Sequence, residues 1–265
     1  MTRGDAIAGP PANWTLKEEI RAYWSKRAET FDLSIGHRID DDREAEAWRA
    51  LFSDALRGAG QGSVLDLACG TGEISRILLS LGGRVTGIDF AEPMLERARL
   101  KCRYARGRYR AYACDAERLT EPDGAFDALV TRHLVWTLVD APAAFAEWHR
   151  VLKPGGRLLI VDGDFVNIAP LGRLRITLSH LVARWNAAAP HGRDRETQER
   201  ILSRVFYAGG LSLEGLTADL LNAGFAEPRC LPLDSILTAQ MAKAPLADRL
   251  RLPAHRRFAL CVHKV

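Results

Sequence analysis

VLDLACGTGEIS, residues 64–75, decides the fold. Val64 to Leu67 form a short apolar run that ends in a turn with glycine at positions 70 and 72. Beyond the turn, Ile74, Ile77, Leu78 and Leu81 recur as on one face of a helix that stops at Gly82-Gly83. This is a strand, a tight turn and a helix, and such a turn lets the backbone approach a ligand with no Cβ in the way. A dinucleotide fingerprint needs a third glycine, where this sequence has Ser75. A phosphate-cradling Walker loop needs a lysine after the glycines, and none follows. Two acids accompany the turn instead: Asp66 inside the strand end, and Asp89, 17 residues after Gly72, at the end of the next apolar run. An acid in the second position can accept both hydroxyls of a ribose. Negative charge at Asp66 suits a ligand carrying cationic groups better than it suits a pyrophosphate.

The alternation continues outward from this unit. Residues 84–88 (RVTGI), 109–114 (YRAYAC), 126–130 (FDALV) and 157–161 (RLLIV) read as strands; Pro93 opens a helix through Met94, Leu95 and Ala98, and Pro154-Gly155-Gly156 ends the helix before the fifth strand. Strands alternating with helices imply a parallel sheet covered on both faces, with ligands beyond the C-terminal strand ends. Those ends are Ala68–Gly72, Asp89-Phe90, Asp115-Ala116, Thr131–His133 and Asp162–Asp164. Residues 165–210 interrupt the pattern with a helical stretch at 171–185, the loop AAAPHGRDR and a helix near 196–206, which read as a lid. LSLEGLTADLLNAGF is an amphipathic helix closed by Gly224, followed by a strand near 229–233 and a last strand, FALCVHKV.

Composition narrows the function classes. With 47% hydrophobic and 26% charged residues, the 265-residue chain is an ordinary globular protein with one large α/β core. The start of the chain has no uninterrupted apolar stretch, and no segment approaches the roughly 18 apolar residues of a membrane helix. A cytoplasmic protein without a membrane span is expected. Five scattered cysteines with no CxxC pair suggest small core residues, neither a disulfide framework nor a metal site. The net charge of +4 comes without a basic-aromatic run, so no nucleic-acid partner is expected. Between Leu171 and Val205, however, seven arginines (173, 175, 184, 193, 195, 200 and 204) face three acids. That surplus reads either as a solvated helix face or as a cationic cover over an anionic substrate.

Together VLDLACGTGEIS, VTGIDFAEPMLERAR and FDALVTRHLVWTLVDAPAAFAEWHRVLKPGGRLLIVD resemble the motifs of the class I S-adenosylmethionine-dependent methyltransferases, and in particular the ubiquinone/menaquinone methyltransferase group. The resemblance covers about residues 20–165. It implies a Rossmann-like doubly wound seven-stranded α/β sheet, mostly parallel with an antiparallel last strand, plus a helical lid. The chain then divides into an N-terminal helical cap (1–60), the cofactor-binding core (61–165), the lid (166–210) and the completion of the sheet (211–265).

By position, the resemblance implies that Ala68, Gly70 and Gly72 meet the methionine part of S-adenosyl-L-methionine with Asp66 beneath. Asp89 takes the ribose hydroxyls, Phe90 and Met94 pack on the adenine, and Asp115 and Ala116 meet its edge. Arg132 and His133 line the side where the methyl group faces the substrate. His133 is the leading candidate for a base, with His37 second. The segment YWSKRAETFDLSIGH resembles a helix that closes over the cofactor, so Tyr23 and Arg27 join the cofactor-binding set. Trp136, Trp185, Phe206 and Tyr207 are candidate walls of an acceptor pocket. The expected partner is a small molecule, an anionic one being one option, and the oligomeric state is open, a dimer being one option. An enzyme that cyclises or rearranges the sulfonium compound, and a non-catalytic cofactor-binding module, share these motifs.

Overall fold

The structure, a computed structural model, describes residues 15–185 and 194–265. Most of the loop AAAPHGRDR and the side chains of Arg184, Trp185 and Arg195 lie outside the described residues. The chain opens with helix α1 (Leu16–Arg27), started by a capping box in which the Thr15 side chain accepts from the Glu18 amide and Glu18 returns a bond to the Thr15 amide. Helix α2 (Asp42–Leu56) follows, and then the alternation read from the sequence: β1 (Ser63–Leu67), α3 (Glu73–Ser80), β2 (Arg84–Asp89), α4 (Glu92–Cys102), β3 (Tyr109–Ala113), β4 (Phe126–Arg132), α5 (Ala141–Val151) and β5 (Leu152–Asp164). Helices α6 (Pro170–Trp185) and α7 (Arg195–Leu202) form the interruption. Then come α8 (Leu213–Asn222), β6 (Arg229–Leu231), α9 (Asp234–Lys243), α10 (Leu246–Arg251) and β7 (Arg256–His263).

The seven strands make one sheet in the order β3-β2-β1-β4-β5-β7-β6. β7 runs antiparallel to both of its neighbours, and the remaining pairs are parallel. Side chains alternate across β1 as a twice-covered strand requires. Val64 enters the core under α2 and α3, with Trp48, Phe52, Ile77 and Leu78. Leu65 and Leu67 enter the core under α5 and α8, with Phe145, Trp148, Leu216 and Leu220. The order reverses between β1 and β4, which puts the crevice of a doubly wound sheet at the C-terminal ends of those two strands. Helix α2 therefore belongs to the layer that covers the sheet.

The structure extends three strands beyond their sequence-based limits. β4 reaches Arg132, which places His133 directly at its end. β5 starts at Leu152, which pairs with Phe126, and runs on to Asp164, because Asp162, Gly163 and Asp164 pair with Phe258, Arg257 and Arg256 of β7. β7 correspondingly starts at Arg256. Helices α9 and α10 had no sequence signal: the buried positions of α9 are Ile236, Ala239 and Gln240, too small and too polar for an apolar stripe. Among the described residues no helix is long and apolar enough to cross a membrane.

Candidate active site

At the point where the strand order reverses, two residues other than glycine adopt left-handed backbone conformations: Ala68 after β1 (φ 55°) and His133 after β4 (φ 61°). Such conformations cost about 1–2 kcal/mol each for residues with a Cβ and persist where surrounding structure enforces them. Ala68 opens the glycine turn. Gly70 (φ 53°) lines a cavity of about 330 Å³, and a Cβ there would stand 3.7 Å from the Phe31 ring across it. Gly72 (φ 85°) does a different job. A Cβ at Gly72 would lie 2.9 Å from the Cα of Ala98, so this glycine lets α3 begin tight against α4.

The turn is fastened to the end of β2 by Asp89. Its Oδ2 accepts from the Gly70 amide at 2.9 Å and its Oδ1 accepts from the Ala91 amide at 2.9 Å. Burial pushes its carboxyl up to about 6 against the pull of those amides. Asp66 is buried beneath the turn and accepts from Ser75 Oγ at 2.6 Å. Burial raises it to about 7; Ser75 and Arg132 oppose the shift, and the neighbouring Asp89 adds to it. Ser75, which replaces the third glycine of a dinucleotide motif, is thus the partner of the acid that motif lacks.

The N-terminal segment closes over this crevice. Lys17 of α1 pairs with Asp115 Oδ2 at 2.5 Å and Glu117 Oε2 at 2.7 Å beyond β3. Glu19, buried, holds Arg200 Nε at 2.6 Å and Arg204 Nη1 at 2.8 Å, tying α7 to α1. Asp32 accepts from Thr71 Oγ1 in the glycine turn at 2.6 Å and pairs with Lys101 at 2.6 Å. Tyr23 and Arg27 of α1 both line the cavity; Tyr23 donates to Gln198 Oε1 at 3.3 Å, and Arg27 donates to Thr30 Oγ1 at 2.9 Å.

On the other side of the crevice stands His133. Its amide donates to Val161 O at 3.0 Å, and its carbonyl accepts from Trp136 Nε1 at 2.9 Å. Nδ1 is buried without a hydrogen-bond partner among the described residues, 3.9 Å from Asp162 Oδ1. Burial, then the Arg257 and Arg132 charges, hold the imidazole well below its ordinary range, so it is neutral at pH 7. The His37 ring lies 6.3 Å from the His133 ring and meets Phe31 edge-on at 4.2 Å.

Of the residues selected from sequence, Tyr23, Arg27, His37, Ala68, Gly70, Asp89, Phe90, Met94, Asp115, Ala116 and His133 share this one cavity. Asp66, Gly72 and Arg132 stand behind its wall. Arg132 donates to the carbonyls of Gly36 (3.2 Å) and His37 (2.9 Å) and lies over the Trp48 ring, so it holds the N-terminal segment in place. Trp136 lines the cavity, whereas Tyr207 donates to Asp219 Oδ2 at 2.7 Å and Phe206 is exposed. Within the arginine-rich stretch, Arg200 and Arg204 pair with Glu19, and Arg173 donates to the Ile168 carbonyl. The cavity has cationic walls elsewhere, in Arg251 and Arg257, next to His255 and Phe165. Sequence reasoning passed over these four residues because Arg251 ends α10, Arg257 lies near the start of β7, and Phe165 and His255 flank β5 and β7, with no motif at any of them.

Residues 65–160 match a family model described as a methyltransferase domain. The chain is 40% identical over 119 residues to the ubiquinone/menaquinone biosynthesis C-methyltransferase of Desulfotalea psychrophila, covering 44% of this chain and 48% of that one. To the enzyme of the same description from Methylobacterium nodulans it is 34% identical over 166 residues, covering 60% and 65%. The matched stretch thus spans about half the length of the first of these relatives. Among solved structures, geranyl diphosphate C-methyltransferase from Streptomyces coelicolor A3(2) shares the fold, with a TM-score of 0.64 over 97% of this chain and 100% of that one at 17% identity. From the glycine turn to the fifth strand, this chain is thus similar to a methyltransferase domain and to the ubiquinone/menaquinone C-methyltransferases.

Proposed function

We propose that the protein is an S-adenosylmethionine-dependent methyltransferase acting on a small molecule. The observation that carries this reading is the convergence, in one cavity, of an open glycine turn, an acid at the end of β2 and a neutral histidine at the end of β4. The residues present fit the cofactor. The backbone at Ala68 and Gly70 faces the cavity, and Asp66 sits under the turn, where a pyrophosphate binder would avoid negative charge. Asp89 holds the ribose hydroxyls while its other lone pairs keep the turn in place. Phe90 and Met94 flank the adenine, and Asp115 and Ala116 meet its edge. Gly70 and Arg27 receive the amino-acid end. Bound there, S-adenosylmethionine supplies an electrophilic methyl group on a sulfonium, a strong leaving group.

The remaining work falls to this chain's own side chains. Helices α1 and α7, latched through Lys17 and Glu19, exclude water from the crevice. The aromatic wall of Trp136 and Phe165 orients the acceptor, which is the main contribution needed for an in-line displacement. His133 takes the acceptor's proton where one must leave: an imidazole that lines the cavity and is neutral at pH 7 is in the protonation state a base requires. His37 shapes the same wall through its contact with Phe31. The five cysteines are unpaired and three are buried, which supports a reducing, cytoplasmic setting.

Titration with S-adenosylmethionine, S-adenosylhomocysteine and NADH tests the reading. One cofactor per chain for the first two and none for the third is the expected result. Tight NADH binding, or methylthioadenosine released without any acceptor, overturns it. With an acceptor in hand, His133→Gln lowers kcat by roughly 10²–10⁴-fold if His133 is the base and leaves cofactor affinity unchanged.

A further inference from the structure

The cavity continues past the glycine turn to a region that no sequence motif marked. Its wall there is made by Trp136, Phe165, His255 and Arg257, next to His133. Arg257 lies on β7 opposite Gly163 of β5, so its guanidinium is carried by the sheet and not by a loop. Nη1 donates to Gln240 Oε1 at 3.3 Å, and Gln240, itself buried, donates from Nε2 to Glu44 Oε1 at 2.8 Å. The Nε of Arg257 is shut off from solvent and has no hydrogen-bond partner among the described residues.

Among the described residues no acid forms an ion pair with Arg257. Glu44, the acid that acts on it, is held by Lys243 at 2.7 Å, and Asp248 is held by Arg251 at 2.7 Å. Arg132 and Arg251 add like charge, and burial together with these two pushes Arg257 down to about 10, which leaves it protonated at neutral pH. A guanidinium set into a low-dielectric wall without a carboxylate is costly unless something else supplies the negative charge. A sulfonium cofactor cannot supply it.

We infer that Arg257 anchors an anionic oxygen group of the methyl acceptor, a carboxylate or a phosphate, and holds the acceptor's apolar body beside His133. The aromatic surroundings suit a ring-sized body: Phe165 meets Trp136 at 5.5 Å, His133 at 5.8 Å and His255 at 5.3 Å between ring centroids. The Nη2 group, which makes no hydrogen bond among the described residues, offers two N–H donors to the oxygens of such a group. The arrangement rests on the methyltransferase reading for the identity of the acceptor, but the anion site itself is a property of the wall.

The test uses the full chain saturated with S-adenosylhomocysteine and four probes, benzoate and phenyl phosphate against benzamide and benzyl alcohol, followed by calorimetry. At least one anion is expected to bind about tenfold or more tightly than both neutral probes. Arg257→Gln removes that preference while S-adenosylhomocysteine affinity stays within about twofold, and Arg257→Lys, which keeps the charge but not the fork, retains part of it. Should neither variant fold, the Arg257 Nε–H resonance of the ¹⁵N-labelled wild type must shift with the preferred anion and not with benzamide. No anion preference, a preference that survives Arg257→Gln, or an unmoved resonance overturns the inference. If S-adenosylhomocysteine itself does not bind, the cofactor reading falls, and the same four probes on the protein alone still decide the anion site.

Discussion

Replacing Asp89 by alanine separates what this residue does for the fold from what it does for the ligand. In the fold its carboxylate holds two backbone amides, those of Gly70 and Ala91, each at 2.9 Å. Removing it orphans both, at about 1–3 kcal/mol each. The opposing term is the burial of the charge. A carboxyl held at about 6 costs roughly 3 kcal/mol to keep ionised at neutral pH relative to its ordinary value, and alanine removes that cost. The two terms are of similar size, so Asp89→Ala should melt within a few degrees of the wild type. No such offset exists for the ribose, whose hydroxyls lose a charged acceptor worth about 1.5–3 kcal/mol. The Kd for S-adenosylhomocysteine should therefore rise roughly 10- to 150-fold. Calorimetric titration of both proteins at pH 7.5, with melting curves alongside, measures the two effects independently. An unchanged Kd, with the variant folded, refutes the assignment of Asp89 to the ribose.

The raised carboxyls of Asp66 and Asp89 give a pH dependence with a definite sign. Their folded values lie above their unfolded ones, so these acids favour the folded protein most at low pH, and that contribution is lost as pH rises through about 6 and 7. Cofactor binding runs the opposite way, because it requires the ionised form of Asp89. Affinity should fall about tenfold per pH unit below about 6, with proton release on binding, and a flat profile between pH 5 and 7.5 contradicts this. Gly72→Ala should cost about 2–5 kcal/mol from the left-handed backbone and the clash with Ala98, seen as a large drop in Tm. Gly70→Ala carries the left-handed backbone cost of about 1–2 kcal/mol without a clash, so it should melt closer to wild type than Gly72→Ala and lose cofactor affinity as well. Glu19→Ala should release α7 from α1, speeding amide hydrogen exchange across Arg195–Leu202 by roughly 5- to 30-fold for a loss of 1–2 kcal/mol; unchanged protection would show that the latch carries no weight.

The core of the fold was legible because each unit announced itself in two ways at once. β1 combined an apolar run with a glycine turn, and α3 followed with apolar residues at helical spacing, so the strand ends at 68, 89, 115 and 133 could be found from residue types alone. Gly72 shows the limit of that reading: its motif position suggested ligand contact, while its φ and its distance to Ala98 show a packing role. Asp66 and Arg132 were likewise selected as near the ligand and stand one layer behind, shaping the charge and the backbone that the cavity presents. The far wall was illegible for a different reason. His255 and Arg257 sit at the start of β7, and their place beside His133 comes from an antiparallel pairing of residues almost a hundred positions apart. Nothing local in PAHRRFAL encodes that meeting. The arginine surplus at 171–205 invited an anionic substrate, and the structure adds a candidate cation on the sheet.

A crystal structure of the protein with S-adenosylmethionine bound tests the central claim most directly. The account predicts both ribose hydroxyls on the Asp89 carboxylate, the amino-acid end at Gly70 and Arg27, and the sulfonium methyl directed toward the space between His133 and Arg257. A ligand bound elsewhere, or in this cavity with its ribose away from Asp89, would contradict it.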